Sequence, residues 1–516
     1  MKSLMEHTKF FCGLFLLCIL TAVWGAVRLF GTGGAEPGTP FGIISALFLV
    51  CGAAVVMAVT LVWEMRAWEL HRLYGCLALF FGISFLFTEP VFSVPDETSH
   101  FSNAYAMSDA YTGDPYNGGM ETKRMSEWFL PYAKVYVDRE GYGEFFASFD
   151  GSGQDHREVT WFDETRTNTS LLMYAVCAVG ITLARWLGLS FGWMALLGQL
   201  CNLLFFVSTM TYAIYRMPYG KRLFCVIGLL PIVLQQAASY SYDVELLAAA
   251  VMVTALSFYW RFDKDRRFLI RDVIFFVLSA VILYLAKGHL YVLLLFLPVL
   301  LFGNKSWFVG RRKWYWVFGT AVFIGGVLLW LFAFGGAETV RAKLFFTPYI
   351  GRLEAPGHSI LHYLLHLDET LALLFRTVLT HGRDYVFQMM GGAFGSFQVF
   401  IFTPIVYAIF AWLLISGIRR DAEEMDISVP CRIIGVVLML FTDALALVAM
   451  MLYETGQNET IVEGFQGRYL LPTLPALLLF LLFWKKPVQK RIPEGAFPLV
   501  SAWLMYVSII DYLCRI

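Results

Sequence analysis

Residues 74–100, YGCLALFFGISFLFTEPVFSVPDETSH, decide the fold. The apolar run from Tyr74 to Phe92 has the length of a membrane crossing, since a bilayer core takes roughly 20 residues of helix. Val94-Pro95-Asp96-Glu97-Thr98-Ser99-His100-Phe101 follows at once and opens a long acidic loop. Ionisable groups at a bilayer boundary are costly unless they face a cavity, pair or do chemistry. A span ending in this cluster therefore predicts a membrane protein whose functional site starts at Asp96.

The same pattern recurs along the chain. Further membrane-length or near-length runs are Phe10–Phe30, Phe41–Trp63, Leu171–Trp186, Trp193–Tyr215, Leu223–Ala238, Val244–Trp260, Val273–Ala286, Leu290–Phe302, Tyr315–Phe334, Val399–Ile418, Ile433–Tyr453, Tyr469–Trp484 and Ala496–Leu513. The reading is an all-α, polytopic helical membrane protein of about 12–14 transmembrane helices, some too short to cross simply. Composition agrees: 58% of residues are hydrophobic and 15% charged, with mean hydropathy +0.64, whereas soluble domains carry about 25% charge. The first run is too long for a signal-peptide core and reads as a retained anchor. A formal net charge of zero argues against a nucleic-acid partner.

Charge is unevenly placed. Residues 93–167 hold fourteen acidic against six basic residues, whereas four short linkers are basic: Arg261 to Arg271, Lys305 to Lys313, Arg419-Arg420, and Lys485 to Arg491. The positive-inside rule puts these linkers and the N-terminus, with Lys2 and Lys9, in the cytoplasm and the Asp96 loop outside. The turn Ser239–Asp243 also wants to be outside, yet three apolar segments separate it from that loop. One segment between 168 and 238 must therefore fail to span, and the sequence does not say which. The nine cysteines lie in or beside apolar runs with no CxxC pair, which points away from disulfides and cysteine-built metal sites.

The organisation is a single membrane domain, 1–516, with two outward excursions. The first, 93–167, carries turn signals between aromatic-bearing stretches and reads as folded. The second, 335–398, ends in a flexible run, Gly391-Gly392-Ala393-Phe394-Gly395, and its opening half suits the membrane surface.

Ser93-Val94-Pro95-Asp96 fits a helix start, with Ser93 as N-cap and Asp96 facing the positive end of the helix dipole. The competing reading is catalytic: Asp96 and His100, four residues apart, share a helical face while Glu97 points elsewhere. A carboxylate beside an imidazole suits removal of a proton from an attacking hydroxyl. Asp243 sits in a second acid-bearing turn, where N-capping is the alternative. Lys287-Gly288-His289-Leu290-Tyr291 interrupts two short apolar runs, and broken helices at membrane depth are tolerated beside cavities; a harmlessly snorkelling lysine is the bland alternative. Gln466-Gly467-Arg468-Tyr469 places an arginine, a planar phosphate-matching fork, at the outer end of a span. Its alternative is an ion pair with Glu454 or Glu463. His358, His362 and His366 recur at spacing four, and an interfacial amphipathic helix is preferred there over a zinc face.

Taken in order, Pro95-Asp96-Glu97 with His100-Phe101, Ser239–Asp243 after a proline-bearing helix, Lys287 with Tyr291, and Gln466-Gly467-Arg468-Tyr469 followed by Pro472 resemble a bacterial family of polytopic membrane proteins, domain of unknown function 2142. That family is itself similar to the GT-C glycosyltransferases. The chain departs from the pattern at Asn168–Tyr174, where such proteins often have a proline- and tyrosine-rich helix start and only Tyr174 remains. The resemblance implies a GT-C-like fold in the bacterial cell membrane with an extracytoplasmic site. It implies an inverting enzyme that moves a sugar from a polyprenyl-phosphate donor to a cell-envelope polysaccharide, glycan or lipid-linked acceptor. Asp96 would be the base, with Glu97 the runner-up and His100 its neighbour. Asp243, Lys287, Tyr291, Gln466, Arg468 and Tyr469 would contact substrate. No metal is expected as first choice, although Asp96 and Asp243 could share a divalent ion. The rival readings are a transporter or flippase of lipid-linked sugars and a non-catalytic envelope scaffold. The lack of an evident inverted repeat disfavours a transporter.

Overall fold

A computed structural model describes residues 2–113, 120–122, 138–150, 159–161, 170–263, 269–303, 342, 344–347, 349–350, 355–418, 427–482 and 492–516. The protein is an all-α polytopic membrane protein. Among the described residues, strands occur only as three short antiparallel two-stranded ribbons. Among the described residues, seven helical stretches are long and apolar enough to cross a membrane: Lys9–Thr32, Pro40–Arg66, Leu70–Thr88, Phe191–Arg216, Asp243–Phe262, Val429–Glu454 and Ala496–Leu513. Large apolar side chains such as Leu16, Leu20, Val50, Leu278 and Leu440 stay exposed on the outside of the bundle, as lipid-facing surface requires.

The first part of the bundle is α1 (Lys2–Ala26), α2 (Pro40–Arg66) and α3 (Leu70–Thr88), packed against the last helix of the chain, Ala496–Leu513. α2 starts sharply because Thr39 accepts from Gly42 N at 3.1 Å and Pro40 takes the first helical position, where no amide donor is needed. After α3 come α4 (Glu97–Thr112), α5 (Arg139–Ala147), α6 (Ala175–Trp186) and α7 (Phe191–Arg216). α10 (Asp243–Phe262) is the central helix: it is apolar around its whole circumference and almost wholly buried, as expected of a helix surrounded by others. It packs on α7 and on α11 (Ile270–Leu285).

The remaining expected spans are shorter or broken. Leu223–Ala238 divides into α8 (Lys221–Gly228) and α9 (Pro231–Ala237), because Pro231 cannot donate to the preceding turn. Leu171–Trp186 is likewise a 3₁₀ turn, Leu171–Tyr174, followed by the short α6, so two of the three segments between 168 and 238 are short or broken. Lys287–Leu295 is a 3₁₀ turn leading into α12 (Phe296–Gly303). After α13 (Ile360–Leu365), α14 (Leu367–Met389), α15 (Thr403–Gly417) and α16 (Val429–Glu454), Gly467–Leu470 forms another 3₁₀ turn before α17 (Leu474–Leu482) and α18 (Ala496–Leu513). Tyr315–Phe334 lies outside the described residues.

One expectation changes. The glycine run 391–395 is not a loose, flexible run: Ala393–Phe394 pairs with Val399–Phe400, and Gly391 and Gly395 take positive φ that shapes the turn. The hairpin is tied down where Ser396 donates to Ser93 O at 3.1 Å and Phe402 N to Asp511 at 2.7 Å. α14 shows Leu371, Phe375 and Leu379 as one exposed apolar stripe, the surface an interfacial helix presents.

Candidate functional site

The loop between α3 and α4 is held from inside by Glu97. Its buried carboxylate accepts from Phe92 N at 2.8 Å, Val94 N at 3.3 Å, Gln199 Nε2 at 3.0 Å and Tyr240 N at 3.1 Å. Burial pushes its pKa up to about 7 against those donors. One side chain thus fixes the loop, α7 and the 239–241 turn relative to each other. With its acceptor sites engaged and its carboxyl only 1% exposed as a residue, Glu97 does not face the charged cluster; the runner-up base is a structural carboxylate.

The helix starts at Glu97, not at Ser93. Asp96 is its N-cap residue, in left-handed backbone (φ 62°) and without a side-chain capping bond. The capping account of Asp96 therefore gives way. The left-handed turn, which Asp adopts more readily than most residues, throws the carboxylate outward, where it is 55% exposed, onto Arg468 Nη2 at 2.5 Å. Arg468 itself is buried, with 3% of its side chain exposed. Its Nη1 donates to Pro95 O at 3.4 Å, and its Nε lies 3.2 Å from Asp243 Oδ2. The other Asp243 oxygen lies 2.7 Å from Lys287 Nζ, and that ammonium sits 3.5 Å from the centre of the Tyr469 ring.

Two carboxylates and two cations thus alternate: Asp96, Arg468, Asp243, Lys287. The ion pair of Arg468 is with Asp96 and Asp243, not with Glu454 or Glu463. The guanidinium also lies against both acids, so the pair that offered a second-choice site for a divalent ion already has a countercharge. Among the described residues no three His, Cys, Asp or Glu side chains converge to hold a metal.

His100 is brought to the edge of this cluster. Its Nδ1 is 2.9 Å from the Tyr174 hydroxyl, and its ring packs edge-on against Tyr242 at 5.3 Å. Burial, followed by the Arg468 charge, outweighs the nearby carboxylates and lowers the imidazole to about 4, leaving it neutral at physiological pH. Tyr174, the surviving part of the atypical 168–174 segment, is thus part of the site.

Local sequence explains the placement of Arg468. A Cβ on Gly467 would lie 2.1 Å from Tyr385 O, so only glycine lets the turn press against α14, where its N donates to Gln388 at 3.0 Å. Tyr291 is fully buried and donates to Tyr469 O at 2.7 Å; it positions the turn. Lys287 holds φ 42°, a strained conformation for a non-glycine residue. Gln466 has a buried side-chain oxygen with no hydrogen-bond partner among the described residues.

Asp243, Lys287, Arg468, Tyr469 and Tyr291 line a cleft with Gln236 and Pro472, of about 10 Å³, enough for about one water. Gln236 was not singled out in the sequence. Its Nε2 is buried without a partner among the described residues, and two adjacent amides, Gln235-Gln236, inside an apolar run were the signal. His358, His362 and His366 lie elsewhere as a stack of rings, 3.7 and 4.5 Å between neighbours; only His362 lies within α13, which begins at Ile360.

A family model described as a predicted membrane protein (DUF2142) matches residues 79–477, from α3 into α17. No match was found among curated proteins or among solved structures.

Proposed function

The chain belongs to the DUF2142 family of predicted membrane proteins, and from the charged cluster we propose that it is an inverting membrane glycosyltransferase of GT-C type using a polyprenyl-phosphate-linked sugar. The observation that carries the reading is Arg468, buried yet shared between a half-exposed carboxylate and a buried one, with Lys287 alongside. Two cations at a membrane boundary, among interrupted helices, suit a phosphate whose apolar tail stays in the bilayer.

The cluster is neutral as it stands, so an arriving phosphate must displace one acid from Arg468. Asp96 is the acid to go, because it is the exposed one and water compensates its release. The displacement frees its lone pairs, and Asp96 becomes a base only when donor is bound. Asp96 then takes the proton of the acceptor hydroxyl as that oxygen bonds to the sugar's anomeric carbon from the opposite face. The bond from that carbon to the phosphate oxygen breaks, and the electron pair leaves with the polyprenyl phosphate, onto Arg468 and Lys287. Neutral His100, held by Tyr174, orients the acceptor. The acceptor is an envelope glycan, polysaccharide or lipid-linked saccharide, and in this reading the site faces outward from a bacterial cell membrane with the N-terminus inside.

The test is the envelope glycan composition of cells lacking the protein against cells carrying Asp96→Asn. An enzyme loses the same monosaccharide in both. A flippase or scaffold retains it in the Asn cells, and that result would overturn the reading.

A further inference from the structure

A second chamber lies on the far side of α10. Asp243, Leu246 and Leu247 face the charged cleft, whereas Glu245, Ala249 and Met252, spaced i, i+4 and i+7, face a cavity of about 640 Å³ bounded by α6, α7 and α11. That volume is in the range of sites for whole ligands, about 300–1,000 Å³. Its wall on α11 runs from Phe275 to Leu285, roughly 15 Å at helical rise, about half the hydrocarbon core of a bilayer. The space is elongated, and its lining is overwhelmingly apolar. Leu172 and Leu278, both lining residues, are 60% and 53% exposed, so the chamber opens sideways onto the lipid-facing surface.

Glu245 is the anomaly. It is 3% exposed, and among the described residues neither carboxyl oxygen has a hydrogen-bond partner beyond Glu245's own backbone, in a chamber with no cation among its lining residues. An acid left this way in an apolar wall is expensive unless an occupant supplies the donor. It sits two residues from the start of α10, at the end nearer the charged cluster; Met252 lies two turns deeper. The polar point is at the membrane boundary and the apolar length below it, which is the outline of an amphiphile standing in the bilayer. The other polar groups of the wall are hydroxyls, Ser208, Thr209, Tyr212 and Ser279. A phosphate finds no countercharge here, and a cation would bury a charge pair whose desolvation is seldom recovered.

We propose that this chamber binds a neutral lipid carrying a free hydroxyl, drawn from the bilayer, whose O–H donates to Glu245. The site is separate from the cleft that would grip phosphate, and it stands or falls independently of catalysis by Asp96. The 3₁₀ turn Leu171–Tyr174 joins the two, since Leu172 and Met173 line the chamber while Tyr174 reaches His100.

Full-length protein in lipid nanodiscs would be labelled with three photoactivatable probes sharing one hydrocarbon chain and ending in an alcohol, a phosphate or a primary amine. The alcohol should crosslink to peptides carrying Met173, Met252 or Phe275 about tenfold more than the other two, the effect of one buried hydrogen bond. Glu245→Leu should lose that preference, Glu245→Gln, which keeps an acceptor oxygen, should retain most of it, and Asp96→Asn should leave it unchanged. Should Glu245→Leu not fold, competition on the wild-type protein decides: unlabelled alcohol should displace the probe and the matching alkane should not. Equal labelling by all headgroups, a preference for the amine or phosphate, or equal displacement by the alkane would overturn the proposal.

Discussion

Arg468 is buried against two acids that no other residue could hold in the same way. A guanidinium presents Nε and Nη2 to different partners in a fixed plane, whereas an ammonium is a point charge. Arg468→Lys therefore keeps the charge and loses the bridge, and donor-lipid affinity in a binding assay should fall at least tenfold while the protein still folds. His100 makes a separate prediction. Its pKa of about 4 lies below the ordinary 6.5, so between those values the unfolded chain takes up a proton that the folded protein refuses. Stability should decline as pH falls through that window, by up to about 3 kcal/mol, and thermal melts of His100→Gln should show the decline reduced. At this scale much was legible. Asp96, His100, Asp243, Lys287 and Arg468 each stood out as ionisable groups beside apolar runs, and they converge. Glu97 entered as runner-up through the resemblance, whereas the helical spacing already turned it away from Asp96 and His100. Gln236 and Glu245 were passed over because one polar residue in an apolar run carries no sign of whether its partner is protein or ligand.

The site is made by elements that fail to continue. α9 starts at Pro231, a 3₁₀ turn carries Lys287, another carries Arg468, and each break delivers a side chain to the same place. Prolines and glycines made the breaks visible in the sequence, but periodicity alone could not say whether a short apolar run crosses or stops. That is why Leu223–Ala238 read as one span and is two helices. The 391–395 run misled for a related reason: glycines permit both a loose loop and a tight hairpin, and only the partner strand at Val399 decides between them. Gly467 gives an element-scale test. Gly467→Ala must push the turn off α14, so thermal stability should fall by an amount typical of overpacking, about 1–3 kcal/mol, and donor affinity should fall with it although no charge is altered.

At the scale of the molecule, the charged cluster occupies one end of the bundle and a buried ion pair another region. Arg216 of α7 pairs with Asp272 at the start of α11, with the Tyr212 hydroxyl on the same carboxylate, close in sequence to the basic linker beginning at Arg261. In the proposed topology, which rests on the positive-inside rule, that region is cytoplasmic and the Asp96 region external. Cysteines introduced at Glu140, in α5, and at Asp263 should then react with a membrane-impermeant thiol reagent only from outside and only from inside, respectively. Membrane class and the ordered motifs were legible in the sequence across this whole length; the cleft and the chamber were not, because both are spaces between helices distant along the chain. The most direct test of the central claim uses purified Asp96→Asn protein, since asparagine keeps the shape and the left-handed turn while losing basicity. Donor binding and single-turnover sugar transfer from a polyprenyl-phosphate sugar would be measured side by side. The account predicts donor affinity equal to or tighter than wild type, because Arg468 is released from a charged competitor, with transfer slower by about 10²–10⁴-fold. Transfer within a few-fold of wild type, or loss of donor binding in a folded variant, would contradict it.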